Sequence, residues 1–412
     1  MCRTVLLLLT LACAACALPP GGPISPSDDP DHHAVDTTVD YEVVVSDPRW
    51  VVPSAALPAA AKPMAANNNV DIVHFDGRLH MAWRTAESHF ASAKAKMILV
   101  SSADNGKTWD HEHTIALGSD VREPRYLSTG SRLLFHLFEG GSSPLAFDPR
   151  QMWRTERLGP GQWTKPETFG RPKEVPWTMK WRRGRGWMTS YLGNHYNMDA
   201  MGTIDVMLST TTDGVTWRPA DPARVSSYRG GVSEAAFELD ASGGLWAVTR
   251  NEDGDATGFG SHVCSAPASA PAAWTCSKKS DPERYDSPWI FRHGDQLYLV
   301  ARRDVGGPFD MGLSGLTFAE KKKKYLSAYS TRPKRTALYR VDRATRTVVH
   351  LQDLPGAGDT AFPSVRRTGA HSFIMANYTS PLSKPDISWL QGQVSSAGTQ
   401  IYLLELTFRP KK

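Results

Sequence analysis

The chain has 412 residues, enough for a large core and, at roughly 150 residues per domain, for two or three domains, although a single all-β domain often runs longer. Hydrophobic residues make up 41% and charged residues 22%, a globular balance that excludes collagen, coiled-coil and disulfide-knot classes. The 47 Lys and Arg against 42 Asp and Glu leave a formal charge of +5, too small for the basic footprint of a nucleic-acid binder. No DNA or RNA partner is expected.

Residues 1–18 carry one Arg, a short apolar run and then small residues, the plan of a secretory signal and too short to span a bilayer. An exported protein is expected: secreted, periplasmic or lipid-anchored at the cell surface. Ala15-Cys16-Ala17 fits cleavage after Ala17, while Cys13 and Cys16 leave open a lipoprotein signal with an acylated cysteine. That lipid would be the only membrane anchor, because no later segment approaches 18 consecutive apolar residues. Residues 18–40, rich in Pro, Gly, Ser and Asp, read as a disordered linker whose Asp28, Asp29, Asp31, His32 and His33 are solvated and not a metal site. Three of the five cysteines lie in the signal region, so Cys264 and Cys276 are expected to pair as a disulfide in an oxidising compartment.

From residue 41 onward the chain repeats. Six segments, at 70–84, 123–139, 177–193, 233–250, 286–302 and 359–378, each show a short alternating strand, a turn and a second strand. Anchored on Asp71, Glu123, Trp177, Glu234, Asp286 and Asp359, they recur at intervals of 52, 54, 57, 52 and 73 residues. Each interval holds four short strands, which predicts an all-β fold: a six-bladed β-propeller of four-stranded antiparallel blades over 41–412. The long fifth interval carries an insertion at 306–335, whose Lys321–Lys324 run reads as a solvated face. The last blade lacks a fourth strand at its C-terminal end, so an N-terminal strand at 41–46, with RWVV just after, is expected to close the ring.

Two turns between third and fourth strands carry an Asp-box pattern: Ser102, Asp104, Gly106, Thr108 and Trp109 in blade 1, and Thr210, Asp213, Gly214, Thr216 and Trp217 in blade 3. With these boxes the chain resembles the sialidase (neuraminidase) superfamily of six-bladed propellers. The box itself is structural. The stretch 233–251 also looks like the sialidase segment in which a Glu begins an inner strand and an Arg ends the next. The resemblance implies that Glu234 polarises a tyrosine nucleophile and that Arg250 belongs to a carboxylate-binding arginine triad. Two family positions differ: NNNVDIV offers Asp71 where a first arginine is usual, and TAESHFAS offers Glu87 and His89 where the general-acid Asp is usual.

In a propeller blade, starts of first strands and ends of second strands share one end of the ring. That funnel therefore gathers Asp71, Glu123, Glu234, Tyr285 and Asp286 as candidate catalytic residues. Arg84, Arg122, Arg125, Trp177, His195, Arg250, Arg302 and Arg303 are the candidate substrate-binding residues. Carboxylates suit glycosidic chemistry, which needs an acid for the leaving group and a second group at the anomeric carbon; arginines suit capture of an anionic substituent. The expectation is an exported, retaining, sialidase-like glycoside hydrolase for an acidic or sialic-acid-like glycan, with Tyr285 attacking under the influence of Glu234. Two alternatives stay open: a non-catalytic glycan- or protein-binding propeller, and a glycosidase of other specificity using Glu123 with Asp286 or Glu234. The loop 251–262 is oxygen-rich but lacks EF-hand spacing, and no GxSxG, Walker A, GxGxxG or HExxH signature occurs, so no metal or cofactor is expected. Asn377-Tyr378-Thr379 forms a sequon badly suited to a central position. A monomer is expected.

Overall fold

The computed structural model describes residues 27–144, 146–194 and 201–411. The expected signal peptide and the first part of the linker lie outside them, as does His195. Six antiparallel sheets follow one another along the chain. Blade 1 comprises Ala66–Phe75, Arg78–Ala86, Lys96–Ser102 and Asp110–Ile115. In blade 2, Asp120–Ser128, Leu133–Gly140 and Pro149–Gly159 are completed by Gln162–Trp163 and Glu167–Phe169, both paired to the third strand. Blade 3 is built likewise from Val175–Arg182, Arg185–Asn194 and Thr203–Thr211, with Arg218–Pro219 and Tyr228–Gly230 outside. Blade 4 comprises Val232–Leu239, Leu245–Asn251, Val263–Ala266 and Thr275–Cys276, and blade 5 Asp286–His293, Gln296–Asp304, Lys334–Asp342 and Thr347–Leu354. Blade 6 takes Ser364–Arg367, Ser372–Thr379 and Gln400–Pro410 from the C-terminal end, then Tyr41–Val45 and Arg49–Val52 from the N-terminal side. Tyr41 faces Pro410 and Val45 faces Leu406, so the ring closes as the sequence predicts.

Local chemistry sets each hairpin. Asp76-Gly77 and Arg183-Gly184 both take positive φ at their two central residues, the conformation whose twist matches paired strands. The two Asp boxes cap outer turns. Asp104 accepts from the Lys107 and Thr108 amides, and a Cβ at Gly106 would stand 2.5 Å from Leu403. In blade 3 the box hydroxyl is Thr211 and not Thr210: it donates to Asp213 and accepts from the Gly214 amide, so the turn is one residue shorter. Cys264 and Cys276 face each other across a strand pair and form the expected disulfide.

The inner strands of blades 4 and 5 are buried along their whole length because neighbouring blades cover both faces. Among the described residues no backbone ladder joins one blade to the next, so side chains make the junctions. Asp71 accepts from the Tyr126 amide of blade 2 at 2.6 Å and from Ser364 and Arg366 of blade 6. Arg125 donates to the Trp177 carbonyl, Lys180 and Arg182 grip Glu238, Glu234 accepts from the Ser287 amide, and Arg302 donates to the Thr360 carbonyl. Arg125 stacks over Trp177 and Phe362, while Lys180 and Arg366 lie over Trp289, so cations and rings fill the axis.

Residues 27–40, read as part of a linker, are held in place. Asp28 bridges Arg182 and Arg366 and accepts from the Arg367 amide; Asp29 caps Pro30–His32 and accepts from the Arg183 amide; Asp31 reaches Arg183 and Arg292. These acids compensate arginines at the far end of the inner strands, a role that low hydrophobicity alone does not reveal. The insertion holds helix α1 (Phe318–Thr331), opened by a Thr317–Glu320 capping box. Its inner face is Lys322, Tyr325 and Tyr329, and Lys322 pairs with buried Asp253, so the lysine run is only partly a solvated face. A short helix α2 (Trp389–Val394) lies beside it, with Trp389 5.4 Å from the Tyr329 ring.

Asp71→Ala would leave Arg366 and the Tyr126 amide short of a buried acceptor. The expected cost is about 3–5 kcal/mol in urea unfolding. A loss below about 1 kcal/mol would contradict the inter-blade clamp.

Candidate active site

The inner strands begin irregularly, and that irregularity builds the site. Register shifts occur at Asn68/Val70, Arg122/Arg125, Pro176/Thr178, Val232/Ala235 and Asp286/Trp289, at the mouths of blades 1 to 5. Asn69, Glu123 and Ser287 take positive φ within these bulges and Ala361 does so at the mouth of blade 6. A bulge re-aims side chains, and backbone held in this region without glycine is maintained only by its surroundings. Here it turns polar groups of several blades into one pocket of about 120 Å³.

Six of the residues singled out in the sequence meet there: His89, Glu123, Glu234, Arg122, Arg250 and Arg302. Glu234 is engaged at both oxygens, by Arg250 at 2.5 Å and by the Ser287 amide at 2.7 Å. Arg250 also reaches Glu252 at 2.9 Å and Asp286 at 3.3 Å. Burial raises the Glu234 carboxyl above its usual range, against the pull of Arg250, and the neighbouring Asp286 and Glu252 charges add to it. Glu123 differs: Asn69 donates to it at 3.0 Å, and it forms no ion pair among the described residues. Burial pushes its carboxyl up to about 7, against Arg125, and the Glu234 charge pushes in the same direction.

Other expected residues stand elsewhere. Tyr285 is not beside Glu234; its hydroxyl donates to Asp281 and its ring packs on Tyr339 between blades 4 and 5. Asp286 is fully buried under Arg284, Arg250 and the Tyr329 hydroxyl, a brace for the arginines and not an open acid. Asp71 is one of the axial clamps. Arg84 is saturated by Asp120 and the Phe90 carbonyl, and Arg125 is buried against the Trp177 and Phe362 rings and does not line the pocket. Arg303 points outward to Asp353. Trp177 is 1% exposed, its ring covered by Arg125 and Phe362, so it offers no face to a sugar. Glu87 is exposed and tied to Lys94.

The pocket also contains groups that the strand-end reading passes over. Tyr378 lines it, one residue beyond Asn377, whose side chain turns instead to Thr336 and Tyr402. Strict two-residue alternation along Ser372–Thr379 is the signal that separates the two. Tyr378 donates to Asp359 at 2.9 Å, and His89 meets the other Asp359 oxygen at 2.7 Å. Trp389 of α2 supplies the aromatic wall, over Arg302 and edge-on to His89. Among the described residues no group of three or more His, Cys, Asp or Glu is placed to hold a metal. In the loop 251–262, Asp255 is occupied by Thr257, Tyr228 and the Gly231 amide.

The Glu123 environment has a measurable consequence. Its carboxyl is held near 7 in the fold against an ordinary 4.5, so the unfolded chain ionises first as pH rises and stability falls between those values. Glu123→Gln removes that penalty. The variant is expected to match the parent near pH 4 and to exceed it by roughly 2–3 kcal/mol above pH 8 in denaturant unfolding. A pH-independent difference would contradict the assigned environment.

No family model matches the chain, and no curated protein matches it in sequence. Solved structures match in shape. A protein of unknown function from Dyadobacter fermentans is 14% identical, with 89% of this chain and 99% of that chain covered, at a TM-score of 0.58. Trypanosoma rangeli sialidase in complex with the inhibitor DANA is 12% identical at a TM-score of 0.55, and the match covers 83% of this chain but only 55% of that one. The Hadza microbial sialidase Hz136 is 12% identical at 0.52, covering 84% of this chain and 66% of that chain. In fold, this chain is a sialidase-like six-bladed β-propeller.

Proposed function

We propose that this protein is a retaining glycoside hydrolase that removes a terminal, acidic or sialic-acid-like sugar outside the reducing cytosol. The observation that carries the reading is Glu123, a carboxyl that burial pushes up to about 7, in the pocket that also holds Glu234, Tyr378 and three arginines. A protonated carboxyl can give its proton to a departing glycosidic oxygen, and a group across the pocket can meet the anomeric carbon. Tyr378 takes the nucleophile's part here, because Tyr285 is turned away. Arg122, Arg250 and Arg302 would hold the substrate's anionic group. The Cys264–Cys276 disulfide fits an oxidising compartment, and the solved complex of Trypanosoma rangeli sialidase with sialic acid supports a saccharide ligand.

A binding propeller is the second reading, favoured by the ion pairs that already engage Glu234 and Asp286. A panel of fluorogenic glycosides, sialoside included, separates the two when parent, Glu123→Gln and Glu234→Gln are compared. The expected result is turnover by the parent, a fall of at least about 10²-fold in kcat for Glu123→Gln, and a parent rate that declines as pH rises through about 7. No turnover on any glycoside would overturn the hydrolase in favour of binding.

A further inference from the structure

In the sialidase-like expectation Glu234 serves the tyrosine, yet both Glu234 oxygens are engaged, by Arg250 and by the Ser287 amide. The carboxylate hydrogen-bonded to the Tyr378 hydroxyl is Asp359, fully buried at the mouth of blade 6. Asp359 has two faces in use. One oxygen accepts from Tyr378 at 2.9 Å, and the other meets His89 Nδ1 at 2.7 Å. His89 comes from the loop after the second strand of blade 1, lines the pocket at its rim and is flanked by Trp389. Two regions of distant sequence, the blade 1 loop and blade 6, thus converge on one chain of hydrogen bonds, separate from the Glu234–Arg250 pair.

We infer that Asp359 is the base for Tyr378 and that His89 positions Asp359, an assignment that rests on the hydrolase reading above. As the Tyr378 oxygen bonds to the anomeric carbon, the bond from that carbon to the leaving oxygen breaks with its electron pair, and that oxygen takes the Glu123 proton. The phenolic proton passes to Asp359. In the second step a water gives a proton to Glu123, its oxygen bonds to the anomeric carbon, and the Tyr378 oxygen leaves and recovers its proton from Asp359. Burial opposes ionisation of Asp359, but His89, Arg302 and the Tyr378 hydroxyl outweigh it and hold the carboxyl below its usual range. Burial, with Arg122 and Arg84 behind it, keeps His89 neutral against the pull of Asp359. With Asp359 ionised, His89 Nδ1 carries the donated proton, which leaves Nε2 without one. The groups facing the pair are Asn68, Arg84 and Arg122 from blades 1 and 2, Arg302 from blade 5, and Tyr378 with Ser380 from blade 6.

The test measures kcat and KM against pH, on a fluorogenic glycoside that the parent turns over, for Asp359→Asn and His89→Gln. Asp359→Asn is expected to lose about 10²–10³-fold in kcat with KM within roughly threefold. Because Asp359 is buried and its variant can fail to fold, His89→Gln is the second arm: about a tenfold fall in kcat, with the acid limb of its pH profile moved upward by about one unit, since Asp359 loses the partner that favours its charge. An Asp359→Asn enzyme with parental kcat, or a His89→Gln profile that superimposes on the parent's, would overturn the pair while leaving the hydrolase standing. A parent inactive on every glycoside would overturn the hydrolase and the pair together.

Discussion

Six inner strands meet around the axis without a backbone ladder between them, so the ring is held shut by side chains crossing from blade to blade. Asp71 ties blades 6, 1 and 2; Arg125 ties 2 to 3; Glu238 ties 3 to 4; Glu234 and the Ser287 amide tie 4 to 5; Arg302 ties 5 to 6. These are buried charged groups, costly to desolvate and costlier still to strand, so each needs its partner in place. At the far end the inner strands supply more arginines than their own blades neutralise, and Asp28, Asp29 and Asp31 from the N-terminal segment complete the set.

The pocket is the top layer of the same arrangement. Where two charges meet on adjacent blades the result is a clamp, as at Asp286, which draws in Arg250 and Arg284. Bulges at the strand mouths change the outcome for a few residues. Glu123, swung to positive φ, is pushed up to about 7 by burial and by the charge of Glu234, against the Arg125 charge and the Asn69 hydrogen bond. The difference between a structural acid and a reactive one is thus a matter of which neighbour the bulge provides. Helix α2 walls this layer with Trp389, while Tyr329 of α1 lies behind it on Asp286.

Much of this was legible in the chain. Each blade repeats a strand–turn–strand segment, so spacing revealed the blade count and the insertion in blade 5, while the missing last strand and the β-branched segment at 41–46 pointed to the closing strand. Of the residues picked out at strand ends, Glu123, Glu234, Arg122, Arg250 and Arg302 line the pocket. What misled was orientation. A strand flips its side chains at every residue, so Tyr285 and Tyr378, both near strand ends, point to opposite environments, and a bulge upstream shifts that phase invisibly. Trp177 looked free at a mouth because nothing in its neighbourhood of sequence announces Arg125, 52 residues away, over its ring. Asp28 and Lys322 sit in polar runs whose long-range partners only the fold supplies.

In the proposed hydrolase one pocket, lined by Glu123 on blade 2 and Tyr378 on blade 6, receives the sugar. A crystal structure of the Glu123→Gln protein soaked with a slowly cleaved acidic glycoside tests it most directly. The sugar ring is expected over Tyr378, with its glycosidic oxygen within hydrogen-bonding reach of position 123 and its anionic group against Arg250 or Arg302. A sugar bound elsewhere on the propeller, or reversed with its anomeric carbon away from Tyr378, would contradict it.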